Sequence, residues 1–564
     1  MRQNIPLTAA TLAILTCSAA GVSMQGSRYL RDLRWAAECG VDPQLILSDT
    51  ESFQNLLSHP SNDKTGLSPE LVSIPIDHND PSVGTYQNRF WVTEQFYVPG
   101  SPIFVFDGGE SNAEVYKSHL TSNQSFFWHI LKDFKGMGIL WEHRYYGESR
   151  PFPVSLSTPP EHMEYLTTRQ ALEDIPYFAK NFSRPNHPDV DLRPQSTPWI
   201  MVGGSYAGIR AALARSEYPE TIYAAYASSA PVEAQVDMSI YFNNVYRGME
   251  ANGLGDCIQS IQAAYQYIDD QLGKEDTAAA VKRLFFGPGA ENNTNEGFTA
   301  ALSHLYDSFQ GYGLTGPANS SLQDFCNYMG FGKTNRTAHL TRSLFRRDSG
   351  KAAAERWASW APLLSIVNYN FNTNCKQQNE TIPLSCDFEE STTDPDMIAW
   401  GWQYCTEWGF FQSNNFGPRA LLSKYQTLEY QQLVCNKQFP EAVKKGVLPS
   451  QPRADATNAE FGGWGVRPSN TFFTVGEFDP WTTLSVMSQD ALNAEHSTWS
   501  KDIPECGEAK ADHIFGQMLT NSEHCFDFQP PRSQGALSLF ESALRNWLAC
   551  FKGGQESNTR TGAE

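Results

Sequence analysis

The stretch from Trp199 to Pro219 constrains the fold of this chain more than any other part of the sequence. It begins with the apolar run Trp199–Val202, which is typical of a buried strand, and continues through two glycines to Ser205. A run rich in helix formers follows and ends near Pro219. A strand, a tight turn with a serine at its tip and a helix form the layout of a nucleophile elbow.

Small residues surround the serine on both sides. Gly203 precedes Ser205 by two residues, and Ala207 and Gly208 follow it by two and three. Small side chains at these positions let the strand and the helix approach each other, so that a strained turn can expose the hydroxyl. The backbone N–H of Tyr206, at the start of the helix, would then face a developing oxyanion. The alternative is a glycine-rich turn with an incidental serine, and the rest of the chain has to decide between the two.

Strand and helix patterns alternate up to about residue 235. The wholly apolar run Ile103–Phe106 predicts a strand covered on both faces, and Ile222–Ala227 predicts another. Asp107–Glu110 follows the first of these, and a glycine-rich loop in this place supplies the second oxyanion donor in hydrolases with such an elbow. We therefore expect the N–H of Gly109 to be that donor, with an ordinary left-handed turn at Gly108 and Gly109 as the alternative. The alternation predicts an α/β fold with a mostly parallel, doubly wound sheet.

The pattern changes after about residue 235, where the chain becomes helical and rich in loops. We interpret this part as a helical cap inserted into the sheet domain, which resumes with the apolar run Thr471–Val475. The N-terminus has a positive residue, an apolar stretch and small residues, as in a secretory signal peptide. The predicted organisation is a signal peptide at 1–20, a loosely structured arm or pro-region at 21–80, sheet-domain parts at 81–235 and 441–551, a cap at 236–440 and a disordered tail at 552–564.

Composition restricts the partners and the compartment. The formal net charge of −20 argues against nucleic acid and anionic membranes, which both require a positive surface. Cys17 lies in the predicted signal, and the ten remaining cysteines indicate disulfides in a secreted chain, although their pairing does not follow from the sequence. No spacing indicates a metal site, and we expect no cofactor. Glycosylation motifs occur at Asn123, Asn181, Asn292, Asn319, Asn335 and Asn379.

A serine nucleophile needs an acid and a base, which follow it in this order in hydrolases with such an elbow. Asp479 stands just after the last apolar strand and is the predicted acid, with Glu477 as the alternative nearer the strand. His513 and His524 both lie in predicted loops before the last helix, and residue chemistry alone leaves the base open between them. His143 precedes the nucleophile and is expected to have a packed, hydrogen-bonded role.

His496 also follows the acid, but it stands close to it at the end of a predicted helix, and we rank it below the other two.

With these residues identified, the chain resembles the prolyl carboxypeptidase family of serine peptidases, which includes dipeptidyl peptidase II and fungal prolyl endopeptidases. The resemblance extends from about residue 75 to 550. It is carried by Gly203–Gly208, Glu142–Ser149, Tyr165–Thr167, Gln170–Leu172, Cys405–Gln412, Gly476 with Asp479–Trp481, and His524–Asp527.

The resemblance implies an α/β-hydrolase domain with a helical cap, and His524 as the base. It also implies a peptide or protein substrate cleaved after proline, with Trp481 and Ile209 lining the proline pocket and Glu110 as a further substrate contact. Acidic working conditions are implied as well, in a secreted protein or in a vacuole or lysosome. Cleavage at a chain end or internally, and a homodimer, stay open, as do an esterase activity and a binding role without catalysis.

Overall fold

The computed structural model describes residues 27–39, 41–58, 66–317, 319–331, 350–377, 383–490, 497–510, 512–529 and 532–553. The predicted signal peptide therefore lies outside the described residues, as does all but the start of the predicted tail. The strands are β1 (Glu70–Pro75), β2 (Thr85–Thr93), β3 (Ile103–Asp107), β4 (Met137–Trp141), β5 (Trp199–Gly204), β6 (Ile222–Ser228), β7 (Gln235–Asp237), β8 (Gly409–Phe411), β9 (Thr471–Gly476), β10 (Thr498–Ser500) and β11 (His513–Leu519).

Nine of these strands form one sheet in the described part of the chain, in the order β1-β2-β4-β3-β5-β6-β9-β11-β10. The pairs β1–β2 and β2–β4 are antiparallel. The remaining pairs are parallel. The carboxyl ends of β3, β5, β6, β9 and β11 consequently meet at one edge of the sheet, where ligands bind in open α/β folds. This is the predicted α/β architecture.

Alternate residues of the central strands point to opposite faces, and both faces are covered. Val105 and Met201 belong to one buried cluster, and Phe104 and Ile200 belong to the other. A strand buried on both faces has no polar side for water, which is why these strands appear as continuous apolar runs in the sequence.

Helices flank the sheet and form the inserted region after β7. The helices before that region are α1 (Arg28–Cys39), α2 (Leu45–Ser48), α3 (Thr50–Ser58), α4 (Ser118–Thr121), α5 (Phe126–Phe134), α6 (Pro160–Met163), α7 (Thr168–Ala179) and α8 (Tyr206–Glu217). Between β7 and β9 lie α9 (Tyr241–Ala251), α10 (Gly255–Leu272), α11 (Glu275–Phe286), α12 (Asn295–Ser303), α13 (Asp307–Tyr312), α14 (Leu322–Cys326), α15 (Gly350–Ala358), α16 (Ala361–Phe371), α17 (Pro395–Gln403), α18 (Leu428–Gln438), α19 (Pro440–Lys445) and α20 (Ala454–Phe461). The last helix is α21 (Ala536–Leu548).

The N-terminal segment differs from the expectation of a loosely structured arm up to residue 80. It contains α1 and α3, and β1 is already part of the main sheet, so the sheet domain begins before residue 81. The apolar face of α1 is fully buried and consists of Tyr29, Leu33 and Ala36. These residues have helical i, i+4 and i+7 spacing, but the arginines between them concealed the pattern.

Four disulfides tie the described part of the chain. Three of them lie in the inserted region: Cys257–Cys326, Cys375–Cys386 and Cys405–Cys435. Cys506–Cys550 joins the loop before β11 to the end of α21. Cys525 is a buried thiol outside these bonds.

The glycosylation motifs within the described residues lie at the surface. Asn123, Asn181, Asn292 and Asn319 are all exposed, whereas Asn335 and Asn379 lie outside the described residues. Among the described helices, we find none with the length and apolar character that crossing a membrane requires.

Candidate active site

Ser205 occupies a strained turn between β5 and α8. Its backbone has φ 60° and ψ −129°, which a residue with a side chain rarely adopts. The N–H of Ser205 donates to the carbonyl of Ser228 at 2.9 Å, and this bond fixes the turn to the neighbouring strand. A Cβ on Gly203 would lie 2.2 Å from the Ala207 carbonyl oxygen, so only glycine fits there. The small residues of the elbow are therefore required by close backbone approach.

Asp479 and His524 form a buried pair at the same edge of the sheet. Both carboxylate oxygens of Asp479 lie 2.9 Å from Nδ1 of His524. The two residues are 0% and 2% exposed. The other ring nitrogen, Nε2, is buried and has no hydrogen-bond partner among the described residues. The geometry thus leaves Nε2 available to accept a proton, with Nδ1 oriented by the carboxylate.

The elbow and the histidine loop are in contact. A Cβ on Gly204 would lie 2.9 Å from Sγ of Cys525, the residue after His524. The N–H of Cys525 also donates to Oγ of Ser229 at 3.0 Å. Ser229 directly follows Ser228, whose carbonyl accepts the Ser205 N–H. Ser205, His524 and Asp479 are therefore brought to one place from three separate strands.

Electrostatics favour the charged form of the imidazole. Burial lowers the pKa of His524, but the Asp479 carboxylate and the neighbouring Cys525 together outweigh burial and raise the pKa above its ordinary value. An imidazolium at this position is stabilised by the carboxylate, as required after the base has taken a proton.

Asp527 fixes the loop that carries the histidine. Its buried carboxylate accepts hydrogen bonds from three hydroxyls: Tyr226 at 2.7 Å, Ser228 at 2.6 Å and Thr474 at 2.7 Å. These donors lie on β6 and β9, and Ser228 is also the residue whose carbonyl holds the Ser205 N–H. Burial raises the pKa of Asp527, whereas the three hydroxyl donors lower it. The Asp527 carboxylate thus joins the loop that carries His524 to strands β6 and β9.

The glycine loop after β3 is held by a buried ion pair. Arg210 of α8 lies 2.9 Å from Asp107, and both side chains are fully buried. Asp107 Oδ1 accepts the N–H of Gly109 at 2.8 Å. The Gly109 N–H, which we expected to be an oxyanion donor, is therefore already bonded to a carboxylate. The next N–H of the loop is that of Glu110, whose side chain lines the cavity at Ser205.

A cavity opens at Ser205. Trp481 and Glu110 line it, together with residues of the inserted region such as Trp400. Ile209 is fully buried in the core and is not one of the residues lining this cavity. All residues of α8 from 206 to 215 are buried, so the position of Ile209 near the serine in the sequence does not bring its side chain to the cavity.

The alternative candidates lie elsewhere or have other partners. His513 contacts Thr498 and Ser500 and lines a different cavity at the amino end of the strands. Glu477 Oε2 accepts the Asn521 N–H at 2.8 Å. His143 is fully buried, with Nδ1 2.6 Å from the Arg144 carbonyl and Nε2 3.1 Å from the Tyr206 hydroxyl. His496 lies outside the described residues.

Sequence reasoning missed Gln310, which the inserted region contributes from α13. Its carbonyl accepts the N–H of His524 at 3.1 Å, and its side-chain oxygen accepts the indole N–H of Trp481 at 2.8 Å. No motif marks Gln310 in the sequence. Asp527 was visible only as part of a family motif, and Arg210 only as a charge on an otherwise apolar helix. No cluster of His, Cys, Asp or Glu suited to a metal occurs among the described residues.

The model of the family described as serine carboxypeptidase S28 matches residues 75–502. The chain belongs to this family. Membership makes it a serine-type peptidase with the α/β-hydrolase fold described above.

Named relatives of this S28 peptidase are moderately similar to it. A probable extracellular serine carboxypeptidase of Arthroderma benhamiae is 26% identical over 477 residues, which cover 79% of this chain and 64% of that protein. The chain thus spans less than two thirds of that relative. The thymus-specific serine protease of Homo sapiens is 26% identical, with 84% of each chain covered. The lysosomal Pro-X carboxypeptidase of Pongo abelii is 30% identical over 192 residues, which cover 33% of this chain and 37% of that protein.

Proposed function

We propose that this S28 peptidase is secreted and cleaves peptide bonds on the carboxyl side of proline, with Ser205 as nucleophile, His524 as base and Asp479 as its partner. The observation that carries the proposal is the buried Asp479–His524 pair, whose second ring nitrogen has no partner among the described residues, beside a serine on a strained turn. Acyl transfer by a serine requires a nucleophile, a base that takes its proton and an acid that orients the base.

The mechanism follows from these positions. Oγ of Ser205 attacks the scissile carbonyl carbon while Nε2 of His524 takes its proton, and the same nitrogen returns the proton to the leaving amine. Water then attacks the acyl-enzyme with His524 again as base. The Tyr206 N–H at the start of α8 stabilises the oxyanion, and the Glu110 N–H replaces that of Gly109 as the second donor.

The cavity supports a preference for proline. Trp481 is only 6% exposed, and its indole is fixed by Gln310 beside the His524 ring, 6.4 Å away between ring centroids. Trp400 and Met397 add apolar surface to the same cavity. A flat, rigid pyrrolidine ring fits an aromatic wall with little entropic cost. The Pongo abelii relative is named a Pro-X carboxypeptidase, which agrees with this preference.

Matched chromogenic peptides test the proposal. Two blocked peptides that differ only by proline or alanine before the leaving group would be assayed from acid to alkaline pH. We expect turnover of the proline peptide at least about tenfold faster, and loss of turnover in Ser205→Ala. Equal turnover of both peptides would refute the proline preference, and turnover that survives in Ser205→Ala would refute the nucleophile. Peptides with free ends distinguish an exopeptidase from an endopeptidase.

Replacement of Trp481 tests the pocket separately. Trp481→Ala should raise KM for the proline peptide about tenfold and change KM for the alanine peptide little, since the ring contributes binding to proline. Phe416→Ala is a matched control because Phe416 is 77% exposed. An equal loss on both peptides would contradict the assignment of Trp481 to the proline pocket.

A further inference from the structure

The N-terminal helix α1 lies in the cleft that leads to the proposed nucleophile. Ser27, which directly precedes the helix, and Leu30, Arg31 and Arg34 of the helix line the same cavity as Ser205. With α1 in this position the cavity has a volume of only about 60 Å³. Pockets for small ligands have volumes of roughly 300–1,000 Å³. A peptide long enough to present its scissile bond to Ser205 therefore does not fit beside α1.

On the sheet-domain side, α1 is held at the loop that carries the proposed oxyanion donor. Nη1 of Arg34 lies 2.5 Å from Oε1 of Glu110, and the two side chains are only 15% and 12% exposed. The next residue of α1, Trp35, donates its indole N–H to the Val115 carbonyl at 3.0 Å. The guanidinium of Arg34, largely removed from water, is thus paired with the Glu110 carboxylate, which we expected to contact the substrate.

On the other side, α1 is held by the inserted region. Oγ of Ser27 donates to Asp307 at 2.7 Å, and the N–H of Tyr29 donates to the Asn370 side chain at 2.7 Å. Arg31 completes the contact through an ion pair with Asp394 at 2.7 Å. The helix therefore joins both walls of the cleft, and it is fixed by specific polar contacts as well as by its buried apolar face.

We propose that α1 is an autoinhibitory segment, which has to leave the cleft before a peptide can reach Ser205. The inference rests on the proposed function, because it takes Ser205 as the nucleophile that α1 covers. Arg34 and its partner Glu110 form the ion pair that holds α1 at the proposed oxyanion loop, so breaking it weakens the docking of α1 on the sheet-domain side, where the Trp35–Val115 bond remains. The free energy of this docking is then the barrier that opening has to overcome.

The test measures how fast Ser205 becomes accessible. A fluorescein-bearing fluorophosphonate labels an active serine without any requirement for proline, so the rate of labelling reports access to the nucleophile. Arg34→Ala should accelerate labelling on the order of tenfold, because it removes a charge-assisted hydrogen bond. Leu33→Asp, which opposes burial of the apolar face, should accelerate it further.

Glu51→Gln is the matched control. Glu51 is exposed on α3 and does not line the cavity. This change should leave the labelling rate within about twofold of the original chain. Melting temperature measured on each variant shows whether the protein is folded, and Arg34→Ala keeps the proposal testable if Leu33→Asp does not fold. A synthetic peptide of residues 27–39 should slow labelling of Arg34→Ala again.

The outcomes separate this inference from the function on which it rests. Equal labelling rates in the original chain, Arg34→Ala and Leu33→Asp would overturn autoinhibition and leave the serine peptidase intact. No labelling in any folded variant would overturn the nucleophile and the inference together. Mass spectrometry of the labelled original chain adds an independent measurement. If the label is found on the uncleaved chain and forms at the rate measured for Arg34→Ala, the autoinhibition proposal is also overturned.

Discussion

The environment of His524 determines the pH at which the proposed catalytic group can act as a base. Asp479 raises the pKa of this imidazole above its ordinary value near 6.5 although burial opposes the shift. A base has to be neutral before it takes a proton, so activity is lost as the pH falls below this pKa. The direction of this shift favours a working range above the acidic one that the family resemblance implies.

The first prediction concerns the pH profile. We expect kcat/KM of the original chain to rise with pH, with an acid limb above about 6.5. Asp479→Asn should move this limb to lower pH because the carboxylate is gone, and it should lower kcat/KM by about a thousandfold or more. A limb near pH 4 in the original chain would contradict the assigned pair. Glu477→Gln at the neighbouring acidic position is the control and should keep both values.

The second prediction concerns Asp527. Asp527→Asn retains the size of the side chain but replaces one acceptor oxygen by a donor, so at least one of the three hydroxyl bonds is lost. Because the carboxylate positions the His524 loop, kcat should fall about 10- to 100-fold while KM stays nearly constant. Thr474→Val, which removes a single donor, should have a smaller effect on kcat. A fall in melting temperature with kcat unchanged would show a purely structural role.

At the scale of single elements, the inserted region is joined to the sheet domain through Glu407. This carboxylate, in the turn after α17, accepts the Thr168 N–H at 3.0 Å and the Thr168 hydroxyl at 2.7 Å at the start of α7. Burial raises the pKa of Glu407 to about 7, and the hydrogen bonds from Thr168 only partly oppose it. The contribution of this group to stability is therefore complete below its ordinary pKa near 4.5 and is lost as pH rises through 7.

The third prediction follows from this sign. At pH 5, Glu407→Gln should have a melting temperature close to that of the original chain. At pH 8 its melting temperature should be higher than that of the original chain, and its free energy of unfolding should be larger by on the order of 2 kcal/mol. Glu441→Gln is the control, because the Glu441 side chain is 62% exposed. A difference that is the same at both pH values would contradict the raised pKa.

The elements that the sequence predicted are those with a local signal. The apolar runs of β3, β5, β6 and β9 and the glycines of the elbow were recognisable because each strand is buried on both faces. The position of α1 was not, since only the folded chain brings Arg34 to Glu110. Gln310 was missed for the same reason, and the bond from the Gly109 N–H to Asp107 was not predicted because the direction of the Asp107 side chain has no signature in the sequence.

At the scale of the whole molecule, disulfides restrain the inserted region unequally. Cys257–Cys326 closes a loop of 69 residues, whereas Cys375–Cys386 closes one of 11. A longer closed loop removes more conformational entropy from the unfolded chain. The first disulfide is therefore the larger source of stability for this region.

The fourth prediction compares the two disulfides by paired alanine variants. Removal of Cys257–Cys326 should lower the free energy of unfolding by about 4 kcal/mol, and removal of Cys375–Cys386 by about 3 kcal/mol. Denaturant unfolding at one pH measures both. An equal or reversed order would mean that packing of the cysteines, and not loop length, determines the loss.

The double contact of Gln310 has a consequence for how substrates and products travel. Its carbonyl accepts the His524 N–H and its side chain accepts the Trp481 indole N–H, so the inserted region is joined to the sheet domain at the loop that carries His524. Movement of the inserted region away from the sheet domain at α13 would displace His524 and Trp481 together. Entry of a peptide and departure of its fragments therefore require movement of α1, which lines the same cavity and contacts α13 through Ser27 and Asp307.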